Sequence, residues 1–594
     1  MSVAEIPVDE IEFPKSLNDW VAPDCHGLNF FEIDHSLQSL MHLYMPDNLR
    51  AHLTPHYERL GEIAGGRLDD LSRTADRHEP VLHARNARGQ DEDWIEFHPA
   101  YREMEQIGFG DFGIHCMTHK PGMFGWPEKI PPIAKYVFQY LFTQSEFGLM
   151  CPISVTDTSA MLIERYADEE TKQRFLPRMM SQDMGEIFKS AQFMTEKTGG
   201  SDVSNLELEA RLEDGVWRLY GEKWFCSCAD GDVALLLARP HGAPGGSRGL
   251  GLFAMPRRLD DGTRNAYRII RLKSKLGTKS MASGEIVFNG AVAYPLGDLN
   301  AGLKQMLDQV NLSRLSHGVR AAAMMRRCLN EALQVARHRI AFGGPIVNLP
   351  LMRRQLLKLM VPTEQALSFY AFTAQVMGAA NQGDVTAEKL LRILTPLYKF
   401  RACRDNLAVA TGAMEVRGGN GYIEDWVNAR LVRDAQIGVL WEGTSNINAL
   451  DVVTRAVGKV RAHEALADTL HDCLAQADAI PGQFRTRLDG LVDRAAAFAA
   501  EVAADPAQEK RCRLAAGALY SAASAALLAW EGARTGAAGG DARRLLLSRL
   551  VVEHRLSVED PLAVRDDAWE ERAADLLLAD APVPLDLATE IAVA

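Results

Sequence analysis

The stretch Leu206-Glu-Leu-Glu-Ala-Arg-Leu-Glu-Asp-Gly-Val-Trp-Arg-Leu219 decides the architecture. Leu206, Leu208, Ala210 and Leu212 alternate with Glu207, Glu209 and Arg211, the period-two pattern of a strand with one buried face. Asp214-Gly215 supplies a tight turn, and Trp217 and Leu219 open a second apolar run, so the segment predicts a hairpin. Further short runs at Val233–Ala238, Leu250–Met255, Tyr267–Leu272 and Glu285–Phe288 are divided by Gly- and Pro-rich connections such as Pro240–Gly249. Together they predict a compact β domain over residues 190–296.

On either side of this domain the apolar period is helical. Residues 1–45 form a Pro-punctuated, irregular N-terminal extension with an aromatic-acidic knot at Asn29-Phe30-Phe31-Glu32. Residues 46–189 read as an N-terminal helical domain, with Met161-Leu162-Ile163 and Tyr166, then Phe175 and Met179, at i, i+3, i+4 spacing. After Leu296, Met306–Phe342, Leu351–Asn381 and Thr386–Val416 are long enough to be struts of a four-helix bundle over 297–458. A Gly418-Gly419-Asn420-Gly421 break and a short helix at Leu440–Asn448 complete it. The last 144 residues hold 36 Ala, and residues 459–594 predict an extra helical domain. The fold class is therefore α+β: helical domain, β domain, helical bundle, added helical domain. The lack of βαβ alternation excludes Rossmann and TIM folds.

The 594 residues are 47% hydrophobic and 24% charged, ordinary globular proportions that exclude a collagenous or disordered chain. Lys and Arg number 65 against 78 Asp and Glu, a formal net charge of −13. Residues 451–594 hold 16 basic and 23 acidic residues, a net of −7, which disfavours general nucleic-acid binding. A local basic patch at Arg543, Arg544 and Arg549 is the one exception to examine. Nine Cys, an odd number in a long chain, read as reduced thiols, and Cys226 and Cys228 are too closely spaced for the usual metal or redox pair, so no metal is expected. The first ten residues lack a basic and an apolar region, so no export signal is expected. Leu514–Trp530 is uncharged but rich in small residues, and reads as a buried helix rather than a membrane span. These features predict a soluble, cytoplasmic protein.

Three segments could carry chemistry. In Phe193-Met-Thr-Glu-Lys-Thr-Gly-Gly-Ser-Asp202 the glycines let backbone N–H groups approach a ligand and Thr195 and Ser201 add hydroxyls, although a plain loop has the same composition. Lys223-Trp-Phe-Cys-Ser227 places adjacent rings on opposite faces of a strand, so one ring can offer a flat surface or both can pack. In Trp441-Glu-Gly-Thr-Ser-Asn446, Glu442 stands among apolar residues beside a glycine. Desolvation there raises a carboxyl pKa and suits a general base, while a helix-start carboxylate facing the helix dipole is the competing reading.

With Arg339-Ile-Ala-Phe-Gly343, Glu415-Val-Arg-Gly-Gly-Asn-Gly-Tyr422 and Arg433-Asp434, these segments resemble, in order and spacing, the acyl-CoA dehydrogenase flavoproteins. Thr195-Glu-Lys-Thr-Gly-Gly-Ser-Asp202, Asp93-Trp-Ile-Glu-Phe-His-Pro-Ala-Tyr101, Leu149-Met-Cys-Pro152, Pro256–Asn265 and Pro350-Leu-Met-Arg353 are similar to the AidB-like, adaptive-response branch. The resemblance implies non-covalent FAD between the β domain and the bundle, with a second subunit completing the adenosine side in a homo-oligomer, a dimer or tetramer.

Carried over residue by residue, the resemblance gives each segment a role. Gln192, Met194, Thr195, Gly200 and Ser201 would line the isoalloxazine and pyrophosphate. Phe225, Cys226 and Ser227 would meet the flavin face. Arg339 and Phe342 would reach a neighbour's FAD, and Glu415, Gly418 and Gly419 its ADP part. Thr444 and Asn446 would close over the cofactor, and Ser201, Arg314 and Gly443 would contact the acyl-CoA substrate. Glu442 falls on the catalytic base. Ala341 and Glu415 depart from the usual polar residue and Gln at their positions, and Lys197 replaces the commoner Pro as in the AidB-like branch.

The implied reaction is α,β-desaturation of an acyl-CoA thioester: Glu442 removes the α proton and flavin N5 takes the β hydride, with an electron-transfer flavoprotein as acceptor. The alternatives are a flavin oxidase or monooxygenase on the same scaffold, and a stress-response flavoprotein with weak dehydrogenase activity and possible DNA binding.

Overall fold

The computed structural model describes residues 21–558, 562 and 567–593. Residues 1–20 of the N-terminal extension lie outside the described residues. The rest of that extension is not wholly irregular. Asp34 accepts a hydrogen bond from the Leu37 amide at 2.9 Å and starts a helix, His35–Tyr44, that buries Leu37, Leu40, Met41 and Tyr44. Phe30 and Phe31 of the aromatic knot are buried with them. Helices Asp47–Gly65, Arg67–Arg77, Pro132–Thr143, Met150–Tyr166 and Glu169–Met179 build the rest of the N-terminal domain.

A hairpin, Val81–Arg85 with Asp91–Glu96, interrupts the helical region that the apolar spacing predicted. Its fixing contact is distant in sequence. Asp93, at a positive φ of 44°, buries its carboxylate and accepts from the Ile269 amide at 3.0 Å and from Arg264 at 2.7 Å. A window of local periodicity cannot register that contact.

The β domain has seven strands. Val233–Pro240, Glu209–Glu213, Val216–Ser227, Ser283–Leu296 and Gly251–Pro256 pair in that order, and the last pairs back onto the first, closing a five-stranded ring. Ser190–Phe193 adds in parallel to Val233–Leu236, and Tyr267–Leu272 pairs with Ser283–Leu296. The hairpin forms as the alternation predicts, with Glu213 opposite Val216, but its first strand starts only at Glu209 and Leu212 beside the turn is exposed.

Three long helices, Gly302–His338, Pro350–Asn381 and Val385–Arg417, form the struts of the bundle, followed by Asn428–Gly438 and Ser445–Leu450. The first strut ends at His338, not Phe342. Phe342 and Gly343, at φ 52° and 91°, reverse the chain so that Ile340–Ala341 pairs with Gly344–Pro345.

Helices Ala462–Ala475, Gly482–Ala504, Cys512–Ala537, Arg543–Val551, Ala568–Leu578 and Leu585–Val593 form the added C-terminal domain. One helical stretch, Pro506–Ala537, is long and apolar enough to cross a membrane, and 78% of its most apolar window is buried inside the fold. A buried polar network joins this domain to the others. Arg544 reaches Glu364 at 2.9 Å and Glu531 at 3.0 Å, Arg326 reaches Glu364 at 2.5 Å, and Glu531 accepts from Tyr44 at 2.8 Å and Ser368 at 2.5 Å. The Arg543, Arg544 and Arg549 patch is thus not a basic surface. Arg544 is enclosed by carboxylates, Arg543 pairs with Asp541, and Arg549 is buried over the Trp569 ring at 3.9 Å.

Arg544→Met leaves Glu364 and Glu531 facing one another without their shared cation. Breaking a buried pair of this kind costs about 3–5 kcal/mol. We expect a lower urea midpoint, read from the fluorescence of Trp530, whose ring lies 5.7 Å from that of Tyr44. An unchanged midpoint would show that the network does not hold the domain.

Candidate active site

Glu442 follows the Asn428–Gly438 helix and precedes Ser445–Leu450, in a bend where both Glu442 and Gly443 have positive φ, 53° and 91°. A left-handed glutamate is strained and persists only when its surroundings fix it. Arg314 Nε donates to the Glu442 carbonyl at 3.3 Å, and Asn448 Nδ2 donates to the carbonyls of Gly443 at 2.7 Å and Thr444 at 3.0 Å. Lys399 Nζ also donates to the Gly443 carbonyl. Arg314 is itself anchored to Asp451 at 2.6 Å, and Arg392 holds the other oxygen of Asp451 at 2.6 Å. Three helices therefore clamp one bend.

The side chain of Glu442 accepts one hydrogen bond, from Ser313 Oγ to Oε1 at 3.0 Å. Burial pushes its carboxyl above the ordinary range, while the Ser313 hydroxyl and the charges of Arg314, Lys399 and Arg320 pull it part of the way back. Burial likewise brings Lys399 down to about 8. Trp441 stacks on Phe147 at 6.4 Å and meets the His317 edge at 5.4 Å. The result is an ionisable base with one free oxygen, in an apolar recess ringed by cations.

The β domain supplies a second group of the expected residues. Phe225 is 53% exposed, a ring offered to a ligand rather than packed, and Ser227 Oγ lies 3.2 Å from Ser283 Oγ. Cys226, between them, turns its thiol into the barrel. Opposite, the Thr195 carbonyl accepts from Trp224 N at 2.8 Å, the Met194 carbonyl accepts from Lys223 at 3.3 Å, and Gln192 reaches Met306 Sδ at 3.4 Å. At Gly200 a Cβ would come 2.6 Å from Thr195 Oγ1, so only glycine leaves that hydroxyl clear, and Gly200 and Ser201 are exposed. A flat exposed ring flanked by hydroxyls and a glycine loop is a donor set that fits the isoalloxazine and phosphates of FAD.

The third group stands at the other end of the first strut. A Cβ on Gly418 (φ 72°) would lie 3.1 Å from Arg339 Nη1, so the guanidinium sits over the glycine backbone. Gly419 and Phe342 are exposed, and Glu415 accepts from Gln355 at 3.2 Å. Ser313 and Arg339 are separated by roughly 40 Å of helix, longer than an extended dinucleotide. The structure thus brings Glu442, Arg314, Gly443, Thr444 and Asn446 together, and places Arg339, Phe342, Glu415, Gly418 and Gly419 elsewhere in the same chain. Arg314, expected at the substrate, is engaged with Asp451 and the Glu442 backbone.

Sequence reasoning missed Ser313, His317, Arg320 and Lys399. The first three recur at i, i+4 and i+7 on one helix face, a polar stripe where a buried strut should be apolar, and that stripe was the available signal.

Residues 21–185 match the description "Adaptive response protein AidB N-terminal domain", 191–291 "Acyl-CoA dehydrogenase, middle domain" and 300–458 "Acyl-CoA dehydrogenase, C-terminal domain". The chain is 30% identical over 447 residues to acyl-CoA dehydrogenase family member 11 of Caenorhabditis elegans, a match spanning 73% of this chain and 71% of the relative. It is 34% identical over 400 residues to AidB of Escherichia coli (strain K12), spanning 65% and 70%. The crystal structure of Caenorhabditis elegans ACDH-11 in complex with C11-CoA superimposes with a TM-score of 0.84 at 25% identity, covering 94% of this chain and 96% of that one.

Asp434 ties the loop beside this site to the bundle: its Oδ1 accepts from the Thr278 amide at 2.6 Å. Burial, with the Asp76 charge, pushes its carboxyl up from 3.8 to about 7. The folded group keeps a proton that the unfolded one has released, so its contribution is full below about pH 4 and lost as pH rises through about 7. Relative to Asp434→Asn, we expect the parent to lose stability across that window, by about 1.4 kcal/mol per unit separating the two values. Parallel urea midpoints at each end of the window check this.

Proposed function

Because the chain belongs to the acyl-CoA dehydrogenase family and carries the AidB-type N-terminal domain, we propose that it is an FAD-dependent dehydrogenase desaturating an acyl-CoA thioester between Cα and Cβ. The observation that carries this reading is Glu442: a half-buried carboxylate on a left-handed backbone, with one oxygen held by Ser313 and the other free. FAD, when bound, supplies the acceptor for the β hydride. Phe225, Ser227, Thr195 and Ser201 are the residues of this chain that would hold its flavin and phosphate parts.

The chain's own part is proton transfer and placement. A thioester α proton is too weakly acidic for a carboxylate in water, so the base must be strengthened and the enolate oxygen stabilised. Burial of Glu442 does the first. Trp441 and Phe147 exclude water from the recess, and Arg314 and Lys399 act as positioning residues on the backbone of the bend.

A second subunit is also part of the proposal. The separation of Ser313 from Arg339 supports it, since a single dinucleotide cannot span both sites in one chain. The exposed Ile340, Phe342, Leu351 and Tyr422 near Arg339 and Gly418 form an apolar surface fitted to burial against another copy. An electron-transfer flavoprotein is the proposed electron acceptor.

Two measurements test these statements. Glu442→Gln keeps size and hydrogen bonding but removes the base, so anaerobic flavin reduction by an acyl-CoA should slow about 10³-fold, with little change in melting temperature. Reduction at the parent rate would place the base elsewhere. Arg339→Ala should release FAD on gel filtration while the fold is retained. A FAD-loaded monomer in light scattering would overturn the two-subunit cofactor site.

A further inference from the structure

Arg320 stands on the helix face that serves Glu442, two turns beyond Ser313 and on the order of 10 Å further along the axis. It is 1% exposed, and its guanidinium lies 5.7 Å from the centre of the Trp441 ring and 5.4 Å from that of Phe147. Its hydrogen-bonding partner is His317. The His317 Nδ1 atom lies 2.8 Å from the Ser313 carbonyl, which can only accept, so Nδ1 carries the proton. Arg320 Nη2 lies 2.9 Å from that protonated Nδ1 and 3.0 Å from Nε2, and of the two only Nε2 can accept from it. Burial and the neighbouring cations hold the imidazole well below its ordinary pKa, hence neutral.

The guanidinium is thus left without an anion. Among the described residues no carboxylate lies within ion-pair distance of Arg320, and its Nε and Nη1 have no hydrogen-bond acceptor. The contrast with its own helix is sharp. Arg326 has Asp34 and Glu364, and Arg327 has Asp69 and Glu331. The groups that face Arg320 are the rings of Phe147 and Trp441, the thiols of Cys151 and Cys403, both kept neutral by burial, and Glu442, whose carboxylate is bonded to Ser313. Cys151, Val155 and Met281 with Trp441 form a small apolar cluster apart from the main core, as a wall of a recess would. An enclosed charge with unmade hydrogen bonds is costly and persists where a ligand completes it.

Resting on the acyl-CoA reading, we propose that Arg320 is a specificity-determining residue that selects acyl-CoA chains ending in a carboxylate. The chain enters past Glu442, runs along Trp441, and places its anionic end on the free N–H groups of Arg320. A methyl-ended chain leaves those groups unsatisfied.

The test is calorimetric binding to the FAD-loaded protein of three matched pairs: hexanoyl- and adipoyl-CoA, octanoyl- and suberoyl-CoA, decanoyl- and sebacoyl-CoA. The parent should bind at least one carboxylate-ended member about tenfold or more tightly than its methyl-ended partner, the size expected of a hydrogen bond to a charged group. Arg320→Met should lose that preference and keep or improve binding of the methyl-ended chain. Its ligand-free melting temperature should stay level or rise, whereas a merely structural arginine would lower it. No preference in the parent at any length, or an unchanged preference in Arg320→Met, overturns the inference even if the variant folds poorly, because the parent is measured by itself. If no acyl-CoA of either kind binds or reduces the flavin, the dehydrogenase reading fails and takes this one with it.

Discussion

The guanidinium of Arg327 is the joint on which the rest of the structure hangs. It is enclosed in the first bundle helix and holds Asp69 of the N-terminal domain at 3.1 Å and Glu331 one turn away at 2.9 Å. Glu331 then takes Arg417 at 2.6 Å, at the end of the third strut, and the Cys25 amide at 3.2 Å. Asp69 takes Arg430 at 2.8 Å, in the short helix that leads to Glu442. Three cations and two carboxylates, all buried, tie the N-terminal domain, two struts and the helix before the Glu442 bend into one body. Such a cluster adds less to stability than well-packed apolar residues would, because desolvation offsets most of its Coulomb energy. What it does fix is register: each fork-shaped guanidinium accepts its partners in few geometries. The placement of Glu442 depends on that register.

Much of this plan was legible in the sequence, for reasons that differ by element. The barrel hairpin was readable because alternation is a local signal, and the three struts because a helical apolar period persists over thirty residues or so. The helical spacing reads from about Leu37, but the start of the helix His35–Tyr44 is set by the Asp34 side chain and its apolar residues pack on distant partners, so the domain boundary at 45/46 fell too late. The Asp93 hairpin was hidden for the same kind of reason. Its apolar content is low, and the contact that fixes it, to Ile269 and Arg264, spans more than 170 positions. The end of the first strut was misplaced by four residues because Phe342 adopts a left-handed backbone that its side chain does not advertise.

The carboxylate of the candidate site is conspicuous in the sequence, and the groups around it are not. Glu442 stands out from composition, a carboxylate in an apolar, glycine-flanked bend. Ser313, Lys399 and Asn448 do not, because each acts from another helix and reads locally as an ordinary polar residue. Arg314 is the opposite case, conspicuous in the sequence but with partners that the sequence does not show. A conspicuous arginine near the site is held by Asp451 and by backbone, so its work is to keep the Glu442 bend in its strained form.

One helix therefore carries two electrostatic regimes. At Arg326 and Arg327 each cation meets two carboxylates, and the helix behaves as a fastener. Six residues earlier, at Arg320, the same helix carries a cation with no anion, beside a carboxylate whose basicity burial has raised. Packing alone gives no reason for that asymmetry, since an apolar side chain at position 320 would fill the recess more cheaply. An anionic chain end held at Arg320 gives a reason there, and proton abstraction gives one for the cations beside Glu442. Removing a proton from a thioester leaves negative charge on the substrate, and fixed cations and dipoles that need no reorganisation stabilise it best. Asp451 engages Arg314 and the Gly443 carbonyl engages Lys399, so neither cation pairs with the Glu442 carboxylate, which takes the Ser313 hydroxyl. Burial raises the affinity of the Glu442 carboxylate for a proton, and the recess stays positive for what enters it.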